Sequence, residues 1–226
     1  NDEKALNVIK NECEEKHSEL TVKNPDSLKI LSTTLDGTEF EFDGKEYFIR
    51  LLGLYQPANA ATVLTAIEIL RKHGFEISET AARDGLASAV WQARFEKIAD
   101  DPVVLYDGGH NPQGVRAAVE SVRAYFGDKK INLLVGILAD KAHGEMVNTL
   151  AEIADNVTCI EPPSPRALPS EELAEEFRRA GIRATAADSI EKGVKQALSE
   201  RKPLLAIGSL YSYNDISKNV RDALKG

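Results

Sequence analysis

The chain has 226 residues, of which 42% are hydrophobic, so it is long enough to bury a core without disulfide bonds. Its formal net charge is -8, and the sequence contains no long run of Lys or Arg. Because binding to a nucleic-acid backbone depends on clustered cations, we expect no nucleic-acid partner. No apolar run reaches the roughly 18 residues that a membrane span needs, so we expect no membrane partner and a cytoplasmic location.

The two cysteines, Cys13 and Cys159, lie far apart and in no spacing typical of a metal or redox site. We therefore expect two reduced thiols, as in a cytosolic protein. The charged N-terminal segment does not resemble a signal peptide. Since the chain begins with Asn1, we expect it to be a piece of a longer protein.

The first hundred residues combine helical and strand patterns. The predicted helices cover 6–18, 59–73 and 78–87. The predicted strands cover 29–33, 38–42 and 47–51. The last two strands flank Asp43-Gly44, a dipeptide typical of tight hairpin turns. This part of the chain is therefore predicted to contain a β-hairpin followed by two helices.

From about residue 102 the pattern changes to strict alternation of strands and helices. The first strand, 103–106, is wholly apolar, as expected of a strand buried on both faces. The later predicted strands are 131–138, 157–160, 183–187 and 204–207. The predicted helices are 112–126, 144–154, 170–180 and 190–199. Five strands alternating with four helices predict an α/β fold with a Rossmann-like, doubly wound parallel sheet.

The change of pattern places a domain boundary near 97–102, dividing the chain into 1–101 and 102–226. In open α/β sheets, ligands bind beyond the carboxyl ends of the strands. In this sequence those ends are polar or glycine-rich, at 107–112, 139–141, 161–163 and 208–211. We therefore expect the functional site along this edge of the sheet.

The first of these ends, Asp107-Gly-Gly-His-Asn-Pro, is the most informative. Asn111 is a good N-cap, and Pro112 suits the first position of a helix whose N-terminus attracts anions. Asp107 is suited to sugar hydroxyls or a cation, and His110 to a phosphate or carboxylate. An ordinary strand-to-helix turn with a solvated histidine explains the same residues equally well.

The same segment resembles the D-G-A-H-N-P element of folylpolyglutamate and dihydrofolate synthases, and more loosely that of all Mur ligases. Other segments resemble family elements in the same order. They are 52–60 (L-x-G-x-H-Q-x-x-N-A), 91–96 (W-P-G-R-x-E), 136–141 (G-x-x-x-D-K), 166–168, and 208–211 (G-S-L-Y). Their shared order is far more specific than any one match. The chain is therefore identified as a member of this family, covering its C-terminal half.

The sequence departs from the family pattern at four places. Tyr55 stands where the family usually has His, and Gln92-Ala93 replaces Pro-Gly before Arg94. Gly109 replaces Ala, and Ala142 follows Asp140-Lys141 where the family often has Asp. These changes indicate a divergent member of the family. Because Gln92-Ala93 directly precedes Arg94, the Arg94 side chain can be oriented differently from its family counterpart.

The resemblance implies that 1–101 is the tail of a central ATP-binding domain and 102–226 a complete C-terminal domain. It implies an ATP-dependent ligase in which a carboxylate of folate or dihydropteroate is phosphorylated and then attacked by the amino group of L-glutamate. The implied ligands are ATP, magnesium, L-glutamate and the folate or dihydropteroate substrate. The full-length family form is expected to be a monomer.

The resemblance also implies roles for single residues, by their numbers in this sequence. Asn59, Arg94 and Asp107 are expected to contact the nucleotide, with Asp107 at the ribose. His110 and Lys141 are the candidate catalytic residues. His110 is expected beside the phosphates or the incoming amino acid, and Lys141 beside the substrate carboxylates. Ser209 is the candidate for glutamate binding. A solvated loop lysine explains Lys141 equally well.

The family's glycine-rich loop, G-x-x-G-K-[ST], is not found in the sequence. The nearest match has six residues between Gly37 and Gly44, and Glu46 stands where magnesium needs a hydroxyl, so we interpret it as a hairpin turn. The family resemblance implies that the magnesium ligands lie outside this chain, and none of its residues is predicted to bind metal. We expect the chain alone to be unable to turn over ATP.

Two other functions stay open from the sequence: a Mur peptide ligase of cell-wall synthesis, and a non-catalytic module that binds a nucleotide or amino acid. Several further residues are predicted to have ordinary structural roles. His17 and His73 are expected on helix surfaces, His143 as a capping or loop residue, and Trp91 as a packing anchor at the domain junction.

Overall fold

The structure, a computed structural model, describes residues 3–225. Its helices are α1 Glu3–Glu15, α2 Gln56–Lys72, α3 Glu79–Ser88, α4 Pro112–Phe126, α5 His143–Ala151, α6 Ser170–Arg179, α7 Ile190–Leu198 and α8 Tyr213–Lys225. Its strands are β1 Leu28–Thr34, β2 Gly37–Phe42, β3 Lys45–Ile49, β4 Glu96–Asp100, β5 Val103–Asp107, β6 Ile131–Val135, β7 Ala154–Cys159, β8 Ala184–Ala186 and β9 Leu204–Ile207. Among these described residues, no helix is long and apolar enough to cross a lipid bilayer.

Strands β1, β2 and β3 form a small antiparallel sheet in chain order. The turn between β2 and β3 is Asp43-Gly44, with φ angles of 48° and 75°, as a two-residue hairpin turn requires. Phe40 and Tyr47 stack across this pair with ring centroids 5.7 Å apart. Helices α2 and α3 cover the buried face of the sheet. The predicted hairpin is confirmed, including its turn.

The six strands from β4 to β9 form a second sheet in the order β4-β5-β9-β6-β7-β8. All neighbouring pairs are parallel except β4 and β5, which are antiparallel. Helices α4, α5 and α6 pack on one face of the sheet, and α7 and α8 on the other. The predicted α/β fold with a parallel, doubly wound sheet is confirmed.

Two elements of this part were not predicted. Strand β4 reads Glu-Lys-Ile-Ala-Asp and is only partly buried, because it lies at the edge of the sheet and pairs on one side. Helix α8 follows the last predicted strand and buries Ile216 and Val220 against the sheet. The sheet therefore begins at Glu96, although the division into 1–101 and 102–226 stays a prediction.

Several predicted boundaries were wrong. The strand predicted at 131–138 ends at Val135, and Leu138 forms a separate bridge with Ala167. The helix predicted at 144–154 ends at Ala151, because Ala154 already pairs with Ile131 as the start of β7. The apolar run of β6 continues to Leu138, and Ile153 and Ala154 extend the apolar period of α5 past its end, so periodicity alone did not separate the elements.

The prediction that His17 and His73 are surface residues is confirmed, since both are exposed, although each lies just past the end of its helix. The prediction for His143 was wrong. His143 begins α5 without capping it; its Nδ1 lies 2.7 Å from Glu176 Oε1, which joins α5 to α6. Both cysteines are free, as predicted.

Candidate functional site

The loops after β5, β9 and β6 lie side by side at one edge of the sheet, because these three strands are neighbours. The loop after β5 begins at Asp107 and the loop after β9 contains Ser209. The Tyr106 hydroxyl donates a 2.5 Å hydrogen bond to the Ser209 carbonyl. A Cβ on Gly108 would collide with the Leu210 side chain, so these two loops are in close contact. The structure thus brings Asp107, His110 and Ser209 to adjacent loops.

Asp107 is the most connected side chain of this edge, and only 4% of it is exposed. Its Oδ1 accepts the Gly109 N–H at 2.7 Å. Its Oδ2 accepts the Phe95 N–H at 2.9 Å and the Tyr55 hydroxyl at 3.2 Å. The carboxylate therefore fixes its own loop and joins it to two other segments of the chain, at Phe95 and at Tyr55.

These contacts leave Asp107 few free hydrogen-bond acceptor positions for a ligand. An ionised carboxylate has about four acceptor positions, and three are occupied within the protein. Burial raises the pKa of Asp107, while the bonds from Gly109, Phe95 and Tyr55 and the charge of Arg94 lower it; burial has the larger effect. A sugar hydroxyl would have to use the remaining acceptor position on Oδ1.

Tyr55 links Asp107 to the beginning of α2. Its hydroxyl donates to Asp107, and its carbonyl accepts the Asn59 N–H at 3.2 Å. Asn59 itself is exposed, and its side-chain amide donates to Gln56 Oε1 at 3.1 Å. Sequence reasoning noted Tyr55 only as a departure from the family histidine and missed this connection. The unusual residue at a family position was the signal available.

Arg94 lies between two residues with left-handed backbone, Ala93 at φ 59° and Phe95 at φ 47°. The family's glycine at position 93 suits this conformation, and alanine here adopts it at some cost in free energy. The Arg94 guanidinium lies over the Trp91 ring, 5.9 Å from its centroid. Trp91 is 63% exposed to solvent, so the prediction that it is a packing anchor at the domain junction was wrong.

A cleft of about 560 Å³ opens beside Arg94. It is lined by the charged residues Asp36, Arg50, Arg94, Glu96 and Lys97, together with apolar side chains that include Trp91. Neither Asn59 nor Asp107 lines it. Of the three predicted nucleotide contacts, only Arg94 faces this cleft.

The β5–α4 loop has the predicted helix start. Asn111 Oδ1 accepts the Gly114 N–H at 2.8 Å, which confirms the predicted N-cap. The His110 ring is partly buried, with Nδ1 2.9 Å from the Gly108 carbonyl oxygen. A Cβ at Gly109 would lie 2.7 Å from Asp107 Oδ1. Glycine instead of the family alanine therefore lets this loop fold tightly around the carboxylate.

Ser209 and Lys141 differ in how they are held. Ser209 is buried, and its hydroxyl accepts the Tyr211 N–H at 3.2 Å. Lys141 is partly exposed, with Nζ 3.9 Å from Asp140, whose carboxylate is also 3.0 Å from Arg166 Nη1. The roles of Ser209 in glutamate binding and of Lys141 and His110 in catalysis stay predictions.

Within residues 3–225, no three His, Cys, Asp or Glu side chains are grouped so that they could hold a metal ion. The nearest glycine-rich match in the sequence, from Gly37 to Glu46, is the β2–β3 hairpin, as predicted. The location of the magnesium ligands outside this chain stays a prediction.

A family model and several known proteins are similar to this chain. Residues 93–209 match the family model described as "Mur ligase, glutamate ligase domain". A dihydrofolate synthase/folylpolyglutamate synthase of Bacillus subtilis is 29% identical over 96% of this chain and 52% of its own length. A folylpolyglutamate synthase of Lacticaseibacillus casei is 31% identical over 79% of this chain and 40% of its own length. The chain thus spans about half the length of these curated relatives.

Solved structures agree with the fold. Escherichia coli FolC in complex with DHPP and ADP superposes with a TM-score of 0.77 and 27% identity, over 97% of this chain and 51% of that one. A folylpolyglutamate synthase from Thermotoga maritima superposes with a TM-score of 0.79 and 25% identity, over 96% of this chain and 52% of that one. Both similarities extend across the small antiparallel sheet and the larger parallel one.

Proposed function

The chain belongs to the Mur ligase family through its glutamate ligase domain, and on that basis we propose that it is the C-terminal part of an ATP-dependent ligase that adds L-glutamate to folate or dihydropteroate. The relatives named as folylpolyglutamate or dihydrofolate synthases support the folate branch. The E. coli neighbour, a complex with DHPP and ADP, supports a folate-type substrate and a nucleotide as the ligands.

The observation that carries the proposal is the arrangement around Asp107. This carboxylate lies at the end of β5, beside the capped start of α4 and within the electrostatic influence of Arg94. A permanently charged guanidinium and a helix N-terminus both favour phosphate oxygens. Such a site suits a reaction that depends on placed positive charge and orientation more than on covalent help from the protein.

We assign the residue roles within this proposal as follows. Arg94 contacts phosphate oxygens from the cleft, Asn59 contacts the nucleotide from the exposed start of α2, and Asp107 offers its remaining acceptor position to the ribose. His110 lies beside the reacting phosphate, and Lys141 offsets the charge of the substrate carboxylates. Ser209, buried in the adjacent loop, is assigned to glutamate binding.

The proposal includes a division of labour between this chain and the rest of the ligase. The sequence contains no G-x-x-G-K-[ST] loop, and within residues 3–225 no three His, Cys, Asp or Glu side chains are grouped as metal ligands. We propose that the phosphate-binding loop and the magnesium ligands come from the part of the family fold that lies outside this chain. On this view the chain supplies one side of a shared active site.

Substrate choice tests the proposal. The chain is mixed with the N-terminal half of the B. subtilis relative, and glutamate-dependent ADP release is compared for folate, dihydropteroate and a muramyl peptide. We expect release with folate or dihydropteroate, and its loss in Arg94→Ala. Arg183→Ala, which removes an exposed ion pair to Glu200, is the matched control and should retain release. Release with the muramyl peptide alone would overturn the folate assignment.

A further inference from the structure

The loop of residues 51–55 connects β3 to α2 and makes three hydrogen bonds to the parallel-sheet part of the chain. The Gly53 N–H donates to the Tyr125 hydroxyl at 2.9 Å, and the Leu54 N–H donates to Ser121 Oγ at 3.0 Å. The Tyr55 hydroxyl donates to Asp107 Oδ2 at 3.2 Å. Three consecutive residues are therefore attached to α4 and to the end of β5.

The acceptors on α4 are held in place by their own neighbours. Ser121 is fully buried, and its hydroxyl proton is donated to the Ala117 carbonyl at 2.7 Å, so its lone pairs face Leu54. The Tyr125 ring stacks on Phe95 with centroids 5.8 Å apart. Loss of either acceptor would leave a backbone N–H with no partner, which is costly inside a protein.

The loop itself is shaped to fit this position. Leu52 is 5% exposed and belongs to the same apolar cluster as Phe95 and Val122. Gly53 has φ 106°, which favours glycine, and a Cβ there would lie 2.9 Å from the Tyr55 ring. The Tyr55 ring therefore packs over Gly53, and this packing directs its hydroxyl to Asp107.

From these contacts we propose that the 51–55 loop is a clamp, in which Tyr55, Ser121 and Tyr125 are positioning residues that fix the start of α2 relative to the end of β5. Tyr55 is the central member, because it bonds to Asn59 through its carbonyl and to Asp107 through its hydroxyl. The consequence for catalysis rests on the proposed function. The clamp sets the spacing between two proposed nucleotide contacts, Asn59 in α2 next to the small sheet and Asp107 at the end of β5 in the large sheet.

Amide hydrogen exchange of the 226-residue chain tests the clamp directly. Tyr125→Phe removes the acceptor of the Gly53 N–H, and Ser121→Ala removes that of the Leu54 N–H. We expect exchange at the affected amide to accelerate on the order of tenfold in each variant. Tyr47→Phe is the matched control, since it deletes a phenol bond from β3 to Glu79 at the start of α3 and leaves the clamp intact. Unchanged exchange of the Leu133 and Leu205 amides shows that the large sheet remains folded.

A second measurement tests the positioning role, with the mixed ligase described above. We expect Tyr55→Phe to raise the KM for ATP by more than about tenfold, the value of one hydrogen bond to a charged group, with a smaller change in kcat. Tyr55→His restores the family residue and should recover part of the loss, and Tyr47→Phe should behave like the unaltered chain.

The outcomes separate the two proposals. Unchanged exchange at both Gly53 and Leu54 in the acceptor variants overturns the clamp. Accelerated exchange together with an unchanged KM for ATP in Tyr55→Phe overturns its positioning role. Accelerated exchange, with no glutamate-dependent ADP release for any substrate from a mixture in which the two halves co-elute as one complex, contradicts the proposed function and leaves the clamp standing.

Discussion

Asp107 combines two roles that are usually separate, since it is a structural connector and also a candidate ligand contact. The carboxylate is buried and bonded to the Phe95 and Gly109 amides and to the Tyr55 hydroxyl. Its prediction as a site residue came from its place at a strand end. The sequence could not show that three acceptor positions are already used, because two of the partners, Phe95 and Tyr55, come from other segments of the chain.

Replacement of Asp107 with Asn tests this connecting role. The amide group of Asn would turn a donor toward one of the backbone N–H groups, leaving it without an acceptor. We expect the free energy of unfolding at pH 7 to fall by about 1–3 kcal/mol. Urea denaturation followed by circular dichroism measures this difference. A change well below 1 kcal/mol would contradict the connecting role.

The pH dependence of the same variant has a definite sign. Burial raises the pKa of Asp107 in the folded chain above its value of 3.8 in the unfolded chain. At pH values between the unfolded and the folded pKa, the folded chain therefore binds the proton more strongly. The unaltered chain therefore gains stability from this group as the pH falls through that window, and the variant does not. The difference in unfolding free energy should widen on acidification.

Asp188→Asn is the control for this sign. The hydrogen bond from Lys192 lowers the pKa of Asp188, so its contribution is lost as the pH falls through the lowered pKa. Its difference from the unaltered chain should narrow toward zero in acid. If the difference in unfolding free energy between Asp107→Asn and the unaltered chain also narrows in acid, the result contradicts the buried environment of that carboxylate.

At the scale of helices and strands, sequence patterns predicted most of the fold. Strands β5, β6 and β9 are largely apolar, whereas β7 has the polar pair Asp155-Asn156 in its first half and only its second half was predicted. The helices between these strands have apolar stripes, so the order and type of the elements could be predicted. Strand β4 was missed because its residues are mixed in polarity and only half-buried at a sheet edge. The start of α2 was placed three residues late, because Gln56 and Pro57 do not follow the apolar period.

Gly208 shows how tightly the strand ends pack. Its φ is 118°, and a Cβ there would lie 2.5 Å from the Gly136 carbonyl oxygen at the end of the neighbouring strand β6. We expect Gly208→Ala to reduce the unfolding free energy by about 2 kcal/mol or more, from backbone strain together with this collision. The midpoint of urea denaturation, at an unchanged slope, measures the loss.

Gly85→Ala is the matched control for that substitution. Gly85 lies inside α3, and a Cβ there has no atom within 4 Å. Alanine is the better helix former, so we expect a gain of about 0.5–1 kcal/mol. Equal effects of the two substitutions would contradict the close packing of the β9 and β6 ends.

At the scale of the whole molecule, the two sheets are joined by contacts that no periodicity predicts. The 51–55 loop bonds to α4 and β5, and Lys97 in β4 lies 3.3 Å from Asp36 beside the small sheet. Such contacts depend on how distant segments meet in space. The family resemblance located the residues on both sides of this junction, whereas only the structure revealed that Tyr55 connects them.

The most direct test of the central claim, that this chain supplies one side of a shared active site, is folate- and glutamate-dependent ADP release by the isolated 226 residues. The mixture with the N-terminal half of the B. subtilis relative is the positive control. We predict no release by the isolated chain under conditions in which the mixture is active. Sustained, substrate-dependent ADP release by the isolated chain would contradict the account.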